Sequence, residues 1–100
     1  MLERAALIDF IASGETPPEG WTVGTEYEKH VVDAQGLPLP YESDDEAPSI
    51  RGLLRALADE RGWAPVMEAE HLVALRKDGA SVSLEPGGQI ELSGAPMASL

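Results

Sequence analysis

Four glutamates set in two short segments are the residues of this sequence best suited to chemistry. In Gly24-Thr25-Glu26-Tyr27-Glu28-Lys29, one residue separates Glu26 from Glu28. On a β-strand that spacing points both carboxylates to one face, about 7 Å apart. Like charges at that range raise each other's proton affinity unless a cation lies nearby, and hard divalent ions such as magnesium take oxygen ligands. The same spacing also suits the solvent face of an ordinary strand whose Val23, Thr25 and Tyr27 pack on the other side. The second segment is Ser83-Leu84-Glu85-Pro86-Gly87-Gly88-Gln89-Ile90-Glu91-Leu92-Ser93-Gly94-Ala95-Pro96. A strand here ends on Glu85, Gly87 and Gly88 bend the backbone, and a further extended run presents Glu91. Paired glycines permit dihedrals that other residues resist and let the backbone approach a ligand closely. As local structure alone Pro86-Gly87-Gly88 is a turn; as chemistry it folds two more carboxylates toward one space.

The elements that must position these residues are legible in outline. Apolar residues recur at helical spacing over residues 2–11, with Gly14 as a stop, and predict a short amphipathic helix. Residues 13–20 are rich in turn formers, and Pro17 and Pro18 exclude a helix interior. Residues 21–32 favour extended structure and close on a turn at Asp33-Ala34-Gln35-Gly36. Residues 37–41 read as a return along that strand at a sheet edge, because Pro38 and Pro40 lack backbone donors. Glu42-Ser43-Asp44-Asp45-Glu46 lacks the glycine and spaced oxygens of a calcium loop and reads as a solvated acidic run. Pro48 then suits the first turn of a helix whose stripe is Ile50, Leu53, Leu54 and Leu57 and whose end signal is Gly62.

Extended runs follow at residues 65–69, 71–76, 80–84 and 90–93, with Lys77-Asp78-Gly79 as a hairpin turn. Few helices and segregated antiparallel hairpins give an α+β class in one domain. His30 and His71 have no matching acidic spacing and read as structural or surface residues. Trp21 and Trp63 read as apolar anchors at the starts of extended runs.

Composition narrows the partners. With 100 residues, 43% hydrophobic and 25% charged, the chain has the make-up of a folded globular domain. A formal net charge of −11 repels phosphate backbones and anionic lipid, which argues against nucleic acid and membrane partners and toward cations. The absence of cysteine excludes disulfides, thiolate zinc sites and a cysteine nucleophile. The first residues lack the basic and then apolar run of a secretory signal, and no apolar run is long enough to span a bilayer. The expected location is the cytoplasm.

Both glutamate segments carry a family resemblance. Gly24-Thr25-Glu26-Tyr27-Glu28-Lys29 resembles the first-strand motif of glutamate-cysteine ligases of the proteobacterial and plant type. The run from Ser83 to Pro96 resembles almost letter for letter their Leu-Glu-Pro-Gly-Gly-Gln-x-Glu-Leu-Ser-Gly-Ala-Pro signature. Arg51-Gly52-Leu53-Leu54 and Gly62-Trp63-Ala64-Pro65 fall between them in the family's order. His30 departs from the pattern, which has an aromatic residue after the lysine.

The resemblance implies part of a catalytic domain like that of glutamine synthetase, with a curved antiparallel sheet cupping ATP, magnesium and the amino acid. It implies Glu26, Glu28, Glu85 and Glu91 as magnesium ligands and Gln89 as a residue facing the cofactor cavity. The implied reaction uses ATP to phosphorylate the glutamate side-chain carboxylate, after which the cysteine amine displaces phosphate. The family's domain runs to several hundred residues, so residues 1–100 are expected to be its amino-terminal part, inactive alone and with open sheet edges that self-associate. A sharply melting, monodisperse monomer would exclude that last expectation. The competing expectation is a non-catalytic acidic module that binds a divalent ion or a partner.

Overall fold

A computed structural model describes residues 1–44 and 47–99 of the chain. It contains helices α1 (Arg4–Ala12) and α2 (Ile50–Arg61) and strands β1 (Glu26–His30), β2 (Ala64–Glu68), β3 (His71–Lys77), β4 (Ala80–Glu85) and β5 (Gln89–Ser93). The five strands form one open antiparallel sheet in the order β1-β5-β4-β3-β2. The expected α+β class is observed. Four strands form a meander, and β1, which precedes α2 in the chain, is added at the far edge beside β5.

Local chemistry accounts for the turns of the meander. Asp78 and Gly79 both have positive φ, 50° and 81°, and Lys77 pairs directly with Ala80, which is the two-residue turn that an Asp-Gly pair permits. Gly87 and Gly88, with φ of 77° and 74°, join β4 to β5. The β2–β3 turn was not signalled, since Ala69 takes φ of 52° without being glycine or asparagine. Helix α2 starts at Ser49, whose Oγ accepts from the Gly52 N–H at 3.0 Å, and ends at Gly62 in the left-handed region. Pro48 therefore precedes the cap rather than occupying the first turn. Lys77 donates from Nζ to the Arg61 carbonyl at 2.6 Å, satisfying an orphan acceptor at the negative end of the helix.

The core is a small plug between α2 and one sheet face, made of Ile50, Leu54, Leu72, Leu75 and Val82. Leu57, Ala58, Trp63, Leu84 and Ile90 pack around it. Leu53, expected on the buried stripe, is instead 38% exposed. Leu72 and Leu75 would face opposite ways on a regular strand. The register passes from Val66↔Ala74 to Met67↔Leu72, leaving Val73 as the extra residue of a bulge that turns both leucines inward.

Helix α2 covers β3 and the middle of the sheet only. Leu92 and Tyr27, which lie in line with Val82 on the same face, remain 44% and 62% exposed.

Two expected elements differ. Residues 21–25 are not strand, apart from a bridge between Val23 and Met97. Residues 37–41 do not return as a strand either. They make one bridge, Val32↔Pro38, and a turn in which Asp33 Oδ1 accepts from the N–H groups of Gln35 and Leu37. The prolines leave too few donors for a ladder. Helix α1 forms as expected but buries nothing, and Leu7, Ile8, Phe10 and Ile11 are all exposed. The radius of gyration is 18.1 Å, against about 13 Å for a closed domain of this length.

The edge strand depends on a close approach. The Gly94 N–H donates to the Thr25 carbonyl at 2.7 Å, and a Cβ on Gly94 would lie 2.7 Å from Thr25 Oγ1. Gly94→Ala is expected to loosen β1 from β5 and lower stability by about 1–3 kcal/mol, the usual cost of overpacking. Urea unfolding measures this, and adding Thr25→Ala to the variant should recover part of the loss.

Candidate functional site

Residues directly opposite each other on neighbouring antiparallel strands share a face, as do residues two apart on one strand. The register therefore generates a grid. Across β1, β5 and β4, one row reads Glu26, Ser93, Ser81; the next Glu28, Glu91, Ser83; the third His30, Gln89, Glu85. All nine lie on the face opposite the α2 plug. The four glutamates named from sequence thus come together on one face, and Gln89 with them. Glu91 holds the centre, with Glu28 and Ser83 across the strands and Ser93 and Gln89 along its own.

The four carboxylates fall into two kinds. Glu85 and Glu91, on the inner strands, are half-buried, whereas Glu26 and Glu28, on the edge strand, are exposed. Ser83 Oγ donates to Glu85 Oε1 at 2.7 Å, and Ser93 Oγ donates to Glu91 Oε1 at 2.7 Å. The Glu28 carboxyl is held above its ordinary pKa, chiefly by its hydrogen bond with Glu91, then by partial loss of water and by the negative charges of Glu91, Glu85 and Glu26. Glu26 contributes to the repulsion on Glu28, but less than the cross-strand partner Glu91 does.

The donor set suits a hard divalent ion in its chemistry: carboxylates, hydroxyls and an amide oxygen are the ligands such ions take. As placed, no three or more histidine or acidic side chains among the described residues close around one point. Gln89 donates from Nε2 to the Pro86 carbonyl at 3.4 Å, which ties its amide to the Pro-Gly-Gly turn. His30, expected to be incidental, joins the acidic face because it continues the 26, 28, 30 alternation. His71 stands edge-on to Tyr41, with ring centroids 5.6 Å apart.

Other expectations resolve individually. Trp63 packs on the core as an anchor, while Trp21 is 65% exposed and donates from Nε1 to the Thr16 carbonyl at 2.7 Å. In the acidic run Glu42 pairs with Arg51, and Asp45 and Glu46 lie outside the described residues. The serines were missed. Their signal was available in Ser83-Leu84-Glu85 and Glu91-Leu92-Ser93, where hydroxyl and carboxylate stand two apart on a strand. No described helix is long and apolar enough to cross a membrane.

A raised carboxyl pKa in the fold means that protonation of Glu28 favours the folded state. That contribution is fully present below the ordinary carboxylate value and is lost as pH rises through the raised one. Glu28→Gln is therefore expected to melt close to the wild type at pH 4 and above it at pH 7. Melting curves of both proteins across that window check the sign; a gap that closes with rising pH would refute it.

Comparison with known proteins places this face in context. Residues 22–100 match the model of Glutamate-cysteine ligase family 2 (GCS2). The chain is 41% identical over 100 residues to a chloroplastic glutamate-cysteine ligase of Medicago truncatula, covering 99% of this chain and 18% of that protein. It is 38% identical over 100 residues to glutamate-cysteine ligase A, chloroplastic, of Oryza sativa subsp. japonica, covering 99% of this chain and 19% of that protein. A chloroplastic glutamate-cysteine ligase of Brassica juncea is likewise 41% identical over 100 residues, covering 99% and 18%. The chain spans less than a fifth of the length of these curated relatives. With a family match over most of its residues and such identity along nearly all of them, the chain belongs to glutamate-cysteine ligase family 2.

Proposed function

We propose that the acidic face is part of the active site of an ATP-dependent ligase that joins the side-chain carboxylate of glutamate to the amine of cysteine. The observation that carries this reading is the grid centred on Glu91, which gathers four carboxylates on one uncovered face of the sheet. Family membership and the relatives' names support the same reading. Residues 1–100 then form the amino-terminal part of a single catalytic domain, related in fold to that of glutamine synthetase. The cytoplasm is the proposed location; the chloroplast in the names of the plant proteins is said of those proteins.

In this reading Glu26, Glu28, Glu85 and Glu91 would hold magnesium, which supplies neutralisation and orientation of the phosphate oxygens of ATP. The chain's own part is positional. Strands β5 and β4 hold Glu91 and Glu85 at a fixed spacing, β1 brings Glu26 and Glu28 alongside, and Gln89 offers an amide between the two inner carboxylates toward the nucleotide. Glutamate's carboxylate oxygen attacks the γ-phosphorus and ADP leaves; the cysteine nitrogen then attacks the acyl carbon and phosphate leaves. Neither step requires a nucleophile from the protein, so a chain without cysteine fits it.

The test is magnesium-dependent phosphate release from ATP in the presence of glutamate and cysteine, made on the full-length protein. Glu91→Gln removes the central charge of the grid. A loss of several kcal/mol of transition-state stabilisation corresponds to at least about a hundredfold fall in kcat/KM. Divalent-ion binding without any ATP turnover in the wild type would favour the non-catalytic acidic module instead.

A further inference from the structure

Two of the four grid carboxylates are tied down, and the ties have the same form. Ser93 Oγ and Ser83 Oγ each donate to the Oε1 of the glutamate two positions away on their own strand, both at 2.7 Å. Hydrogen bonds from a hydroxyl to a carboxylate are short and charge-assisted, and each occupies only part of the acceptor capacity of one oxygen. Neither serine bond involves Oε2, and Glu91 in addition shares a side-chain hydrogen bond with Glu28 across the strands. Glu26 and Glu28 receive no such bond from a side-chain hydroxyl among the described residues, and they stand on the exposed edge strand. The face thus pairs two carboxylates on inner strands, each held by a neighbouring hydroxyl, with two exposed ones at the rim.

We infer that Ser93, with Ser83 as its counterpart on β4, is a positioning residue that holds the Glu91 carboxylate in one rotamer for a divalent cation. The inference rests on the ligase reading above. A glutamate side chain loses rotamer freedom when it coordinates an ion, and a hydroxyl that restricts it beforehand lowers that cost. Outer partners of this kind orient ligands on metals generally. Ser93 is suited to this beyond satisfying Glu91, because it sits directly across from Glu26 and so stands between two of the candidate ligands. The serine carries no charge, so its removal changes the orientation of the acid while leaving the charge of the face intact.

The experiment is manganese binding to the full-length protein, followed by electron paramagnetic resonance with the metal alone. Wild type, Ser93→Ala, Ser93→Thr, Ser83→Ala and Glu91→Gln are compared, with melting temperature as a control for folding. Ser93→Ala is expected to weaken manganese binding about tenfold, as loss of an orienting partner does. Ser93→Thr, which keeps the hydroxyl, should restore it, and Glu91→Gln should abolish it. If Glu91→Gln loses the ion while Ser93→Ala and Ser83→Ala bind as the wild type does, the positioning role is wrong and the metal-binding reading survives. If Ser93→Thr binds as poorly as Ser93→Ala, the effect is one of packing and the inference fails. If the wild type binds no manganese, or Glu91→Gln binds it equally, the reading of the face falls and this inference with it. Should Ser93→Ala lower the melting temperature, Ser83→Ala gives the same comparison on the neighbouring strand.

Discussion

The pairing of β1 with β5 in one register, Glu28 opposite Glu91, is the constraint on which the acidic face depends. Strand side chains alternate with a period of two, so a slip by a single residue would turn Glu26 and Glu28 to the α2 side and bring Tyr27 and Lys29 across. Little apolar burial guards against such a slip at β1, whose residues are all exposed. The register is held instead by the ladder itself, by the bridge between Val23 and Met97, and by the close contact of Gly94 with Thr25. These last two flank the strand on the side where the chain leaves β5. The glycine in Ser93-Gly94-Ala95-Pro96 therefore has a backbone reason for being there, separate from any contact with a ligand.

The other half of the sheet is organised by packing. Helix α2 presses Ile50 and Leu54 onto Leu72, Leu75 and Val82, and the bulge at Val73 lets both β3 leucines take part. Because α2 occupies one face, the polar residues of β4 and β5 are committed to the other. Gly88 connects the halves: a Cβ there would lie 3.5 Å from Ile50 Cδ1, so the turn carrying Glu85 toward Gln89 rests against the first residue of the helix. The core thus supports the inner carboxylates directly and the outer ones only through hydrogen bonds between strands. That asymmetry matches the exposure of the four glutamates.

Much of this was legible in the sequence where a residue type dictates local geometry. Asp78-Gly79, Gly62 and the extended runs of β3 and β4 each specify their conformation within a few positions, and those elements appear within a residue or two of where they were expected. Contacts between distant segments were not legible. Nothing in residues 21–32 says that they pair with residues 89–93 rather than with residues 37–41, since both partners are short and extended. Pro38 and Pro40 argued for an edge and instead left no strand. Helix α1 forms where it was expected, but helical spacing predicts a helix and not a partner for it, and Leu7, Ile8, Phe10 and Ile11 stay exposed. At the site, Glu-x-Glu was ambiguous alone because it fits a solvated strand equally well. The serines stand two positions from an acid, a spacing that acquires its meaning once both residues are placed on one strand face.

What distinguishes this face from a solvated strand is that its charges disagree with one another. An ordinary exposed strand would place oppositely charged or neutral residues across from an acid, because like charges directly opposite are destabilising. Here Glu28 faces Glu91, with Glu26 and Glu85 close enough to add to the repulsion, and the outcome is a proton held more tightly on Glu28. The fold keeps this arrangement although Lys29 is adjacent in sequence, because the alternation of the strand sends Lys29 to the other side, over the ring of Tyr27 with Nζ 4.9 Å from its centroid. A positive charge that could have neutralised the face is thus directed away from it. The repulsion is local, lies opposite the core and is concentrated on one residue pair, so a cation arriving at Glu28 and Glu91 would relieve it. That is the physical content of reading these carboxylates as a site rather than as surface.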